Sequence, residues 1–337
     1  MRAVVFTGPG KAEVQDVPEP QAGAGQVVID VDRVGVCGTD VELFTGEMSY
    51  LHSGRSSYPL RPGHEWSGTV TAAGEGVDES WVGRRVTGDT MIGCGRCRRC
   101  LAGRHHVCPD LRELGISDGV PGALAERLAY PAAYLKALPD AVDATVGALV
   151  EPGGNALRSV EAAAIAPGER LLVLGTATIG LLAAMFGRAR GAEVHLMGHR
   201  ESSLELARSL GFGTAWTRET LPAVPWDAVV DASNAPGLPA LAVQLVEPGR
   251  RVVFVGLAGS PSTVDTRDIA LKDVTAVGIL GASAGLGGTI TAYAEGAVDP
   301  RGLVAATVGL DEIIDVLAGQ RPSGAGAGPK ILVDPRA

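Results

Sequence analysis

The stretch that most constrains the fold is Leu171–Arg200, LLVLGTATIGLLAAMFGRARGAEVHLMGHR. Leu171–Leu174 is a short apolar run of the kind a strand buried on both faces needs. Gly175 and Gly180 frame a turn, Leu181–Arg190 continues in helix-forming residues, and Gly191–Met197 supplies a second strand. This order of strand, glycine turn, helix and strand is the setting in which a dinucleotide-binding fingerprint works. The first glycine permits the tight turn, and backbone N–H groups at the helix start can hold a pyrophosphate. Here G-x-G-x-x-G reads Gly175-Thr176-Ala177-Thr178-Ile179-Gly180, with Ala177 in the place of the middle glycine. One methyl narrows the approach of backbone to phosphate without blocking it.

The end of the second strand bears on which dinucleotide is bound. An NAD-binding unit places Asp or Glu there, about 20 residues on, to accept from the ribose 2′-OH. This chain has Gly198-His199-Arg200 instead. Loss of the carboxylate removes repulsion against a 2′-phosphate, and Arg200 can pair with that phosphate through two N–H groups. The motif favours NADP over NAD. The plainer alternative is an arginine solvated at the start of the next helix.

At 337 residues the chain can build two domains with cores of their own. Its 29 basic and 38 acidic residues leave a net charge of −9, which argues against nucleic acid as a partner. The start, MRAVVFTGPGKAEV, has no long apolar core behind a basic end, so no signal peptide is expected and the cytoplasm is the expected compartment. The longest apolar run, Leu171–Phe186, is broken by Gly and Thr, and no membrane span is expected. Residues from Met1 to about Leu138 read as short strands between Pro and Gly clusters. From about Ala148 strands and helices alternate, which predicts a doubly wound parallel sheet. Pro322–Pro329, PSGAGAGP, reads as a flexible surface loop.

Of five cysteines, Cys94, Cys97, Cys100 and Cys108 lie within fifteen residues. In a chain of this kind such a cluster argues for metal rather than disulfides. Four thiolates at this spacing can close a tetrahedron around one structural Zn²⁺, with an iron–sulfur cluster as the alternative. The fifth, Cys37, stands in Val-Gly-Val-Cys-Gly-Thr39-Asp40, and His64 stands in Pro-Gly-His-Glu65. With Glu65 and the later Glu151 they make a mixed S, N and O set suited to catalytic zinc, although spacing alone would not have grouped them.

These pieces together resemble the zinc-dependent medium-chain alcohol dehydrogenase family, nearly end to end. The matching segments are GVCGTD at 35–40, PGHEWSG at 62–68, VGRRVTGD at 82–89 and CGRCRRC…C at 94–108, followed by EPGGNALRSV at 151–160, the glycine turn at 175–180 and KILVDP at 330–335. The resemblance implies an α/β Rossmann domain over 148–288 plus a β-rich GroES-like catalytic domain over 1–147 and 289–337, with a structural zinc lobe at 90–110. It implies one catalytic and one structural zinc per chain. Cys37 and His64 become catalytic zinc ligands, with Glu65 or Glu151 completing the set. Thr39 falls where the family passes on the alcohol proton, and Asp40 supports a ligand. Where some members finish the proton path with histidine, this chain has Glu42, as in the sugar-type members.

The segment Phe44–Arg55 would line the substrate cleft. Glu47, Tyr50, His52 and Arg55, together with Glu42, form a polar set suited to several hydroxyls. PGHEWSG and CPDLRELGISDG also resemble aminocyclitol and amino-sugar dehydrogenases. The expected substrate is therefore a secondary alcohol, or its ketone, on a polyhydroxylated or aminated ring. A simple secondary-alcohol dehydrogenase or aldehyde reductase is the alternative, and a non-catalytic zinc-binding scaffold or sensor the alternative from another class. The resemblance further implies a homodimer or homotetramer, with Val274–Leu280 a strand free to pair across a twofold axis.

Overall fold

The computed structural model describes residues 1–337. Its parallel sheet runs in the order Ala215–Trp216, Glu193–Met197, Arg170–Leu174, Trp226–Asp231, Val246–Phe254, Thr275–Gly278. The first strand in sequence thus lies in the middle, the next two stand on one side, and the last three on the other. This is the doubly wound order, and its reversal beside Arg170–Leu174 opens a crevice at the carboxyl ends of the strands.

Both faces of the sheet are covered. Leu171, Val173, Leu196 and Val230 pack toward the helices Val150–Ala163 and Thr178–Ala189. Leu172, Leu174, Val229 and Val252 pack with helix Leu238–Leu245 on the other side. Burial on both faces explains the unbroken apolar runs, each fully buried leucine being worth roughly 1.5–3 kcal/mol. The glycine turn is equally determined. Gly175 has φ +107°, and a Cβ on Gly180 would stand 2.1 Å from the Gly175 carbonyl oxygen. Ala177 is extended at the head of helix Thr178–Ala189, a conformation any residue adopts. The middle position therefore tolerates its methyl.

The other domain is built on a mixed sheet ordered Val304–Gly309, Lys330–Asp334, Gln26–Gly35, Glu65–Ala73, Arg85–Gly88, Leu135–Ala137, with Arg127–Pro131 also pairing with Gln26–Gly35. Its core holds Val27, Ile29, Trp66, Val70, Leu128 and Tyr130, with Trp66 and Tyr130 edge to face at 5.2 Å. The two ends of the chain meet here, because Lys330–Asp334 pairs with the end of Gln26–Gly35.

The return to this domain comes later than residue 289. Helix Leu286–Ala294 carries Leu286 and Tyr293 into the core shared with helix Val150–Ala163, and Val298 and Leu303 follow them there. Tyr293 also donates to the Leu149 carbonyl at 3.2 Å. A boundary at 289 would cut a helix whose apolar face already has its partner. The chain crosses back at Val304–Gly309.

The four-cysteine lobe is bracketed by the antiparallel pair Met91–Ile92 and Arg112–Glu113. It has little core of its own: Leu101, in its short helix, is 76% exposed. No helix is long and apolar enough to cross a membrane.

Candidate active site

The register of the mixed sheet sets Gly35 opposite Glu65. Cys37, two residues beyond the end of its strand, is therefore carried beside His64 and Glu65. The ligand atoms of Cys37, His64 and Glu65 all lie within 4.8 Å of one another. Cys37 heads helix Gly38–Thr45, and its N–H donates to Asp40 Oδ2 at 2.9 Å. Asp40 Oδ1 accepts from the Gly63 N–H at 3.2 Å and stands 3.6 Å from His64 Nδ1. That nitrogen is buried and makes no hydrogen bond. Burial disfavours the imidazolium, but Asp40 and Cys37 overcome it and raise His64 well above its ordinary value. A thiol, an imidazole and a carboxylate turned to one buried point form a donor set that fits zinc.

Two glutamates flank this point, each held by a different partner. Glu65 Oε2 receives the Lys330 ammonium at 2.6 Å, with both side chains buried. Glu151, in the first turn of helix Val150–Ala163, stands outside the group of three. Its Oε1 accepts from Asn155 Nδ2 at 2.9 Å. Burial pushes Glu151 up to about 7, and the charge of Glu65 adds to this against the opposing effects of His64, Asn155 and Lys330.

Cys37, His64, Glu65, Glu151 and Asn155 line a cleft of about 1990 Å³ that runs on to the carboxyl ends of the parallel sheet. That is well beyond the roughly 300–1,000 Å³ of a single small-molecule pocket, and leaves room for a dinucleotide and a substrate together. At the near end Thr39, Glu42, Glu47, Tyr50 and His52 all line the wall. Glu42 is pushed upward by burial and by the charge of Glu47. Arg55 does not line it. Its guanidinium stacks on Tyr50 at 4.2 Å and pairs with Glu113, itself a lining residue, at 3.2 Å and with Asp118 at 3.4 Å.

At the far end Gly175, Thr176, Ala177 and Ile179 line the cleft, whereas Thr178 and Gly180 do not. Gly198, His199 and Arg200 are all on its wall, joined by Arg218 from the loop after Ala215–Trp216. Arg200 Nε donates to His199 Nε2 at 3.2 Å. Glu201, the acid nearest in sequence, is paired with Arg208 at 2.6 Å.

In the lobe, the four Sγ atoms of Cys94, Cys97, Cys100 and Cys108 lie within 4.8 Å of one another. Cys97 and Cys108 Sγ are 3.8 Å apart, the edge of a tetrahedron whose centre is about 2.3 Å from each sulfur. Backbone N–H groups point at three of the sulfurs, from Cys97 to Cys94, from Cys100 to Cys97, and from Cys94 and Asp110 to Cys108. Such bonds, from Arg96 and Cys97 foremost, lower Cys94 to about 6, while burial pushes Cys100 up to about 12.

Comparison with known proteins agrees with this geometry. Residues 23–140 match the alcohol dehydrogenase GroES-like domain, and residues 178–295 match the zinc-binding dehydrogenase domain. The chain belongs to the zinc-dependent medium-chain alcohol dehydrogenase family. It is 33% identical to the L-threonine 3-dehydrogenase of Saccharopolyspora erythraea over 293 residues, 83% of this chain and 84% of that one. Its identity to the L-threonine 3-dehydrogenase of Streptomyces coelicolor is 34% over 277 residues, covering 79% and 80%. Among solved structures it is similar to a zinc-binding dehydrogenase of Sinorhizobium meliloti 1021 bound to NADP, with TM-score 0.88, 28% identity and 99% of each chain covered.

Four residues of this dehydrogenase's cleft and its supports escape sequence reasoning: Lys330, Asn155, Glu113 and Arg218. Lys330 had a signal, since a lysine opening the apolar run Ile331–Val333 needs a buried partner. Asn155 had a weaker one, being a poor helix former inside a helix. Glu113 and Arg218 had none.

Proposed function

We propose that this dehydrogenase transfers hydride between NADP and a secondary alcohol of a polyhydroxylated or aminated ring, at a zinc held by Cys37, His64 and Glu65. The observation that carries this is the opening of that buried donor set into the same cleft as the Gly175–Gly180 turn and Arg200. When bound, zinc lends Lewis acidity to the substrate oxygen and nicotinamide takes or returns the hydride. The protein's own residues do the rest. Thr39 exchanges the hydroxyl proton, and Glu42, on the same wall, passes it toward solvent. Asp40 orients His64. Arg200 and Arg218 clasp the 2′-phosphate, in the absence of the ribose-binding carboxylate an NAD site carries. A second zinc in Cys94, Cys97, Cys100 and Cys108 staples the lobe. The 3.8 Å sulfur separation suits one ion rather than an iron–sulfur cluster.

Glu42 and Glu47 have no cationic partner and face the near end of the cleft, which suits a substrate bearing an ammonium group beside its hydroxyls. The names of the 33–34% identical relatives favour a second reading, an acyclic amino alcohol such as L-threonine. Initial rates on a panel of cyclitols, aminocyclitols, amino sugars, L-threonine and 2-butanol separate the readings. Ring substrates should lead. Leadership by L-threonine or by 2-butanol would overturn the ring assignment.

The strand expected over Val274–Leu280 is Thr275–Gly278, at the edge of the parallel sheet and largely exposed. Leu271, exposed at 85%, adds apolar surface in the same domain. Both support a homodimer or homotetramer joined there. Light scattering on the purified protein tests this, and a monomer would contradict it.

A further inference from the structure

We infer that Asn155 is a positioning residue that holds Glu151 outside the Cys37–His64–Glu65 group, and so decides which of two glutamates faces the metal. The inference rests on the reading that this group holds zinc. Asn155 lies one helical turn beyond Glu151, the spacing at which side chains on a helix meet. Its Nδ2 donates to Glu151 Oε1 at 2.9 Å and also reaches the Glu151 carbonyl at 3.3 Å. Both side chains are buried in the wall of the cleft. An asparagine is a poor choice for the interior of a buried helix, where an apolar side chain would pack without needing a partner. The carboxylate of Glu151 is what gives this amide its role.

The two glutamates are thereby held unequally. Glu65 is tethered by a cation, Lys330, and remains grouped with Cys37 and His64. Glu151 is tethered by a neutral amide that occupies one of its oxygens and turns it along its own helix. Without that amide, Glu151 is free to reach the metal as a further ligand and to close the position that substrate needs. Partners one step removed from a metal set its affinity and activity by about 10- to 100-fold.

The test uses the full chain with cobalt(II) in place of zinc. Subtracting the spectrum of Cys37→Ser from that of the wild type isolates the ion in the cleft from the ion in the lobe. Asn155→Ala and Asn155→Leu are then compared with the wild type. The ligand-field bands should weaken as the coordination number rises, kcat should fall about 10- to 100-fold, and KM should change less. Adding Glu151→Gln to either variant should restore the wild-type spectrum. Wild-type spectra in Asn155 variants that melt normally would overturn this inference alone. No difference between wild type and Cys37→Ser would overturn the zinc reading and this inference with it.

Discussion

Lys330 Nζ stands 2.6 Å from Glu65 Oε2, a buried ion pair that ties the last strand of the chain to the candidate metal site. The pair is close-fitted, since a Cβ on Gly35 would come 2.2 Å from the same Glu65 oxygen. In the metal-free protein, removing one partner of this buried pair leaves an uncompensated charge. Lys330→Met should therefore cost about 3–5 kcal/mol in urea unfolding. Gly35→Ala should also destabilise by displacing Glu65. A Lys330→Met variant as stable as the wild type would mean that Glu65 finds another partner.

Asp143 predicts a pH effect away from the cleft. Its Oδ1 accepts from the Val146 N–H at 2.9 Å at the start of helix Ala144–Ala148, and its Oδ2 pairs with Arg301 at 2.9 Å. Partial burial opposes the charge, but the Val146 N–H and Arg301 outweigh it and hold the carboxyl below its ordinary value. A folded-state value below the unfolded one means stabilisation that is present above about pH 4 and is lost as pH falls through the folded value. Asp143→Ala should cost about 1 kcal/mol at neutral pH, and the difference between the two proteins should vanish in acid. A difference that persists unchanged at low pH would rule out the cap and ion pair as its source.

The dinucleotide end can be tested by binding titration. Arg200→Ala and Arg218→Ala should each weaken NADPH by about 1.5–3 kcal/mol, roughly tenfold to more than a hundredfold, and leave NADH nearly unchanged. Equal binding of NADH and NADPH by the wild type would show that Gly198-His199-Arg200 does not select the 2′-phosphate.

What could be read from the sequence was what lies close together along it. Cys94 to Cys108 and the glycine turn are local patterns, and their spacing carries their geometry. Cys37 and His64 stand 27 positions apart by number and meet only through the strand register that sets Gly35 against Glu65. Resemblance found that pair where spacing could not. Lys330 is 265 residues from Glu65, so its place before an apolar run hints at a buried partner without saying which, and Glu113, which reaches the cleft through its pairing with Met91, left no local trace. By sequence Arg55 belongs to the polar set of Phe44–Arg55, with Glu47, Tyr50 and His52, that is expected to line the cleft. Glu113 and Asp118 hold its guanidinium instead.

The most direct measurement is the zinc content per chain of the wild type, Cys37→Ser and Cys94→Ser, by elemental analysis beside activity and melting temperature. The wild type should hold two. Cys37→Ser should hold one, melt close to the wild type and lose activity, whereas Cys94→Ser should hold one and melt lower. Two zinc ions and retained activity in Cys37→Ser would contradict a catalytic metal at Cys37, His64 and Glu65.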